Sequence, residues 1–191
     1  MPQPTELLSF YSDLAGLHAY WDRKRAGRRM PPWHGFDAVE MAPWLGRLNV
    51  VDVERCNGAD VFRYRIFGTE IAVMLDRELT GRTVGDGDAG AGAPMLEGYR
   101  EVVARRAPIL RRQDPLEGTR MLRHVRLMLP ISEDGRQVSK VLVGIHPLWR
   151  RRFPTFLAPD QHDTSYDVLR PEARASAPDR PLGAEPLRLV I

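Results

Sequence analysis

At Leu48 the apolar pattern of this 191-residue chain changes period, and the order of elements on either side of that change constrains the fold most strongly. Upstream, Leu7, Leu8, Tyr11, Leu14, Ala15, Leu17, His18 and Trp21 recur at helical spacing. Residues 5–26 are therefore predicted as one amphipathic helix that stops at Gly27. Met30-Pro31-Pro32-Trp33 enforces an extended connection. Asp37, with Glu40 three residues later, then reads as a capping-box start to a short helix ending near Gly46.

Downstream of the change, residues 48–53 carry β-branched Val50, Val51 and Val53, 56–60 read as a turn and 62–67 as a second strand, which together predict a hairpin. Residues 69–75 suit a short helix, 80–84 an extended piece and 85–92 a glycine-rich loop. Pro94 fits the first turn of a helix running to about Arg106, and three strands follow at 109–116, 121–131 and 138–148. This order predicts an α+β domain, a five-stranded antiparallel sheet with helices on one face and an N-terminal helical cap. The expected divisions are 1–47 for the cap, 48–149 for the sheet domain and 150–191 for a tail rich in proline and arginine.

The last hairpin carries a further expectation. Met121, Val125, Leu127 and Leu129 share one face of their strand, as do Val141, Val143 and Ile145 of the next. Making both sets core requires an odd loop such as Asp134-Gly135-Arg136, a register that sets His124 opposite His146 on the other face. That face also carries Leu122, Met128 and Leu142 and is too apolar to be left to water. The N-terminal helix supplies a cover through Leu14, Leu17 and Trp21, from the same chain or from the second copy in a homodimer. These three residues with Leu122, His124, Met128, Leu142 and His146 are the candidate interface.

Composition narrows the functional classes. A single cysteine, Cys56, excludes an internal disulfide or a multi-cysteine metal site within one chain. The formal charge is +3, lysine occurs only at Lys24 and Lys140, and the clusters Arg23/Arg25/Arg28/Arg29, Arg105-Arg106, Arg111-Arg112 and Arg150-Arg151-Arg152 are interspersed with acids. Nucleic acid is therefore not an expected partner. No apolar run approaches the roughly 20 residues that span a bilayer, and the N-terminus lacks a signal-peptide pattern. A cytoplasmic location with no membrane association is expected.

No nucleophile, base and orienter form a recognisable set, so no catalytic residue is assigned and the chain is expected not to be an enzyme. Histidines 18, 34, 124, 146 and 162 lack a carboxylate or thiol to complete a ligand set, so no metal is expected. The run from Gly85 resembles a calcium loop at Asp86, Asp88 and Glu97, but Gly90 and Ala91 spoil its central positions. Its glycines also lack the Gly-Lys-Ser/Thr end of a phosphate loop. No cofactor is bound by a recognisable motif.

Four segments carry a family resemblance: Tyr20-Trp21 with Arg25-Ala26-Gly27-Arg28, the run Phe62-Arg63-Tyr64-Arg65-Ile66-Phe67-Gly68-Thr69-Glu70-Ile71, Leu79-Thr80-Gly81-Arg82, and Leu129-Pro130-Ile131-Ser132-Glu133-Asp134-Gly135. Over about residues 19–149 the chain resembles the bacterial PAS-like family of the PAS_5 type. It departs at Ala38, where proline is common in that family, and at Asp76, where glycine is common. The resemblance implies a PAS-like fold and a sensory or signalling role. Because the chain carries no histidine-kinase, cyclase or DNA-binding output motif, that role is expected to be exercised by protein association, with a second copy or a signalling protein such as a sensor kinase as partner.

PAS-type modules that hold a ligand do so between sheet and helices, and the residues expected to line that space are Phe62, Tyr64, Ile66, Ile71, Met74, Leu75, Tyr99 and Val103, with the opposite strand face of Arg63, Arg65 and Phe67 as the alternative to Phe62, Tyr64 and Ile66. A small apolar or aromatic ligand would fit such a lining, and a filled core is the alternative. An arginine entering the space would point to a carboxylate ligand. Flavin photochemistry is not supported, because Cys56 lies in a hairpin turn without the Asn-Cys-Arg-Phe-Leu-Gln signature.

Overall fold

The computed structural model describes residues 8–86, 92–113, 116–117, 120–121 and 123–148, with backbone alone at 92–94, 116–117 and 120–121. The start of the predicted first helix, most of the glycine-rich loop, Leu122 and the tail at 150–191 lie outside the described residues.

Helix α1 spans Ser12–Arg25, with Asp13 in its first turn and Arg23, Lys24 and Arg25 in its last, charges that complement the helix dipole. It ends where Ala26 and Gly27 both take positive φ, 49° and 79°. The short α2, Ala38–Met41, is capped by Asp37, whose carboxylate accepts from the Val39 and Glu40 amides. The capping box is only half formed, since Glu40 reaches Lys24 at 2.6 Å instead of closing back on the cap.

A five-stranded antiparallel sheet follows, made of β1 (Leu48–Cys56), β2 (Ala59–Ile66), β3 (Ile109–Gln113), β6 (His124–Ile131) and β7 (Lys140–Pro147). Its spatial order is β2-β1-β7-β6-β3. A two-stranded ribbon of β4 (Leu116–Glu117) and β5 (Arg120–Met121) lies between β3 and β6 in sequence, so the strands predicted at 109–116 and 121–131 are shorter than expected. Helix α3 (Thr69–Leu75) and helix α4 (Gly92–Arg105) supply cover for one face of the sheet.

The other face is covered by α1 of the same chain. Leu14, Leu17 and Trp21 are at most 1% exposed and share a core with Val50, Leu110, Val125, Leu127, Leu129, Ile131 and Leu142. The indole N–H of Trp21 donates to the Pro130 carbonyl at 2.9 Å. Gly144 lets α1 approach closely, because a Cβ there would stand 2.5 Å from one Leu17 methyl and 2.9 Å from one of Leu14. The described part of the expected cap, residues 8–47, is thus continuous with the sheet core, and the cover comes in cis.

Two expectations about register need correction. In the last hairpin Leu129 faces Leu142, Leu127 faces Gly144 and Val125 faces His146, so odd positions oppose even ones and His124 faces Pro147 instead of His146. Val125, Leu127 and Leu129 join the α1 side, whereas Val141, Val143 and Ile145 join the α3–α4 side. When both faces of a sheet are buried, apolar alternation no longer tells which face is which, and a one-residue slip leaves the pattern equally satisfied. The loop at 132–139 sets the choice. There Asp134 accepts hydrogen bonds from the Arg136 and Gln137 amides and the Ser132 hydroxyl, and Gly135 takes φ 70°.

The second correction concerns Ile66. Val50 pairs with Ile66 but Val51 pairs with Tyr64, so Arg65 is an extra residue in β2. This bulge reverses the alternation and sends Ile66 to the α1 side, away from Phe62 and Tyr64.

Candidate functional site

The layer between the sheet and helices α3 and α4 has an apolar half and a charged half. In the first, Phe62 stacks on Tyr99 at 5.3 Å and Tyr64 meets Phe67 edge-on at 5.0 Å. Ile71, Val102, Ile109, Met128, Val141 and Val143 complete the buried packing, flanked by half-buried Met74, Leu75 and Val103. Seven of the eight residues expected to line the sheet–helix space therefore gather here, and Ile66 does not. These side chains make up the apolar half.

The charged half lies where β3 and β6 pair. Arg111 stands directly opposite Arg126, and Gln113 opposite His124. Arg126 is 2% exposed and Arg111 8%. Glu101 of α4 takes Arg111 at 2.6 Å and Arg105 at 2.8 Å, and the more distant Glu97 lies 3.9 Å from Arg111. Arg126 instead donates to the Tyr99 hydroxyl at 2.8 Å and to Gln113 Oε1 at 3.0 Å, with its guanidinium carbon 5.1 Å from the Tyr99 ring centre. Burial pushes the Tyr99 phenol up, against the lowering effect of Arg126, so it stays protonated. Among the described residues no carboxylate lies within ion-pair distance of Arg126. The Nε–H groups of Arg111 and Arg126 are both buried without a hydrogen-bond partner.

The candidate interface residues separate. Leu14, Leu17, Trp21, Leu142 and His146 lie on the α1 side, already buried within one chain. Met128 packs on the α4 side, and His124 shares its strand parity. On the α1 side Asp13 places both carboxylate oxygens 2.9 Å from His146 Nδ1. Arg47 approaches the same carboxylate at 3.4 Å.

A cleft of about 150 Å³ opens on the surface between β1, β2 and the end of α4, lined by Val53, Val103 and Val138 with Arg55, Asp60, Arg106 and Gln137. Among the described residues no cluster of histidine, cysteine or carboxylate side chains could hold a metal ion. No helix among them is long and apolar enough to cross a membrane.

Of the residues of the charged half, Tyr99 and His124 are among the expected site residues, whereas Arg111, Arg126, Glu101 and Gln113 are not. The available signal was Arg126 alone within the apolar run Val125-Arg126-Leu127-Met128-Leu129, a charge where burial leaves no room for one.

Five antiparallel strands in this order, with helices gathered on one face and an N-terminal helix on the other, define a PAS-type α+β domain. The chain belongs to the PAS_5 family of PAS domains, whose family model matches residues 11–145. It is a sensory or signalling module in the general sense of that family. Among solved structures it is similar to the PAS domain from Bordetella pertussis BvgS, at 16% identity over 59% of this chain and 84% of that chain, with a TM-score of 0.47. A search of curated proteins finds no match.

Proposed function

We propose that this chain is a non-catalytic PAS sensor that responds to a small molecule at the charged end of the layer between β3, β6 and α4. The observation that carries this reading is the buried guanidinium of Arg126, answered only by neutral partners in the layer where PAS domains that take ligands hold them. A packed core has no use for an uncompensated charge, which costs several kcal/mol to bury. The aromatic half next to it gives α4 a rigid seat, so a ligand at the charged end would be felt as a small shift of α4 on the sheet. Native mass spectrometry of the purified chain and thermal shift across a metabolite library test the reading. A bound mass or a saturable rise in Tm, altered by Tyr99→Phe and unaffected by Val39→Ala on exposed α2, is expected. Repeated absence of both would sink it.

The signal would pass by association with a second copy or a signalling protein. With Leu14, Leu17 and Trp21 covering their own sheet, that contact would use other surfaces, and deleting residues 1–30 would uncover the core instead of separating a dimer. Light scattering at several concentrations tests association directly, a strictly monomeric chain with and without ligand arguing against a homodimer.

A further inference from the structure

We infer that Arg111 and Arg126 form a binding site for the carboxylate group of a small ligand, an inference that rests on the sensor reading above and names its ligand class. The two arginines are direct cross-strand neighbours on one sheet face. Like charges so placed repel, and the repulsion grows when water is removed. Within the buried layer one carboxylate, Glu101, is in close contact with Arg111 and is itself shared with Arg105. Glu97 reaches Arg111 only at 3.9 Å and from a mostly exposed position, where water screens its charge.

Hydrogen bonding leads to the same place. Arg111 and Arg126 each keep a buried Nε–H with no acceptor, although Arg126 has satisfied other donors through Tyr99 and Gln113. A water molecule would satisfy donors but would leave the charge. A carboxylate satisfies both, because its two planar oxygens match the guanidinium fork and its single negative charge balances the guanidinium that Glu101 does not. A phosphate dianion would bring a second charge with no buried cation left to answer it. The neighbouring aromatic wall of Tyr99 and Phe62 suits an organic anion with a small apolar body.

The test uses acetate, benzoate, succinate and inorganic phosphate at constant ionic strength, with acetamide and benzamide as neutral counterparts, on the full chain and on Arg126→Gln. At least one carboxylate is expected to raise Tm saturably while its amide does not. Its affinity by calorimetry should fall about tenfold or more in Arg126→Gln, the scale of one charge-assisted hydrogen bond. Without ligand, Arg126→Met should unfold no earlier than the parent chain, because it removes a charge the chain does not balance. No effect from any carboxylate, equal effects from acid and amide, a shift retained in Arg126→Gln, or a response to phosphate alone would each overturn the assignment. So would a chain that folds with neither Gln nor Met at this position, which would make the guanidinium a structural requirement. Binding of amides as well as acids would remove the charge assignment and leave the sensor reading intact. Failure of that reading shows instead in the empty mass spectrum and the unresponsive library.

Discussion

The two faces of the sheet are both buried, yet they are buried by different physics. On the α1 side the contact is mostly apolar, with leucines of the helix seated where Gly144 leaves the sheet bare; its polar contacts include the Trp21 indole bond to Pro130 and the charge-balanced pair of Asp13 with His146, beside a buried His18 Nε2 that has no partner. On the α4 side stacked aromatics give way to two facing arginines, a shared carboxylate and orphaned donors. A face built for stability uses groups whose burial is favourable on its own. A face that keeps unbalanced polar groups has given up stability for something else, and sensing is the reading that fits a PAS domain.

The largest expected effect tests the stability role of the first face. Leu17→Ala should cost about 2–5 kcal/mol in urea unfolding, the range for deleting a fully buried leucine side chain. A loss under about 1 kcal/mol would mean that α1 is only loosely seated. Gly144→Ala should follow at about 1–3 kcal/mol, because its methyl must displace buried leucine methyls.

On the other face Tyr99→Phe deletes the hydroxyl that accepts from Arg126 and should cost about 1–3 kcal/mol, with packing left nearly intact. A neutral or stabilising outcome would show that Arg126 finds another acceptor and would weaken the contrast between the faces. Ala26→Gly should raise stability by about 1 kcal/mol, because Ala26 holds φ 49° just past the end of α1, where glycine pays no Cβ penalty.

The smallest effect is a pH dependence on the α1 side. Burial alone would raise the Asp13 carboxyl, but its hydrogen bond to and the charge of His146, the Leu14 amide and Arg47 outweigh this and hold it below its ordinary 3.8. A carboxyl whose folded pKa is depressed adds stability above its unfolded value and loses it as pH falls through the folded one. Asp13→Asn should therefore lower Tm near neutral pH, with the difference from the parent closing below 3.8. A gap that persists there would assign the effect to lost geometry and not to charge. Asp134 in the β6–β7 loop is held to about 2 by the Gln137 and Arg136 amides and the Ser132 hydroxyl, so that loop should loosen only at still lower pH.

Local chemistry was legible. Residues 69–75 read as a helix and match α3, Asp37 reads as a helix cap, and the turn expected within 56–60 falls at Asn57-Gly58, between β1 and β2. Asp76, noted as standing where relatives commonly have glycine, takes φ 53° at the end of α3, which accounts for that preference. Phe62, Tyr64, Ile71 and Tyr99 follow from alternation and helix spacing. Ile66 does not, because one extra residue at Arg65 reverses every later position on the strand, and nothing local in Arg63-Tyr64-Arg65-Ile66 marks where an extra residue falls.

What the sequence by itself determined is the order of elements and the need to bury both sheet faces, since period, caps and turns act over a few residues. Which face each strand presents was decided in three dimensions. Facing residues come from distant segments, and a sheet buried on both sides leaves its registers to be chosen by loops and bulges. The juxtaposition of Arg111 and Arg126 is the sharpest case. Fifteen positions separate them in the chain, the sequence marks Arg126 only as a lone charge in an apolar run, and only the β3–β6 pairing sets the two opposite each other beneath α4.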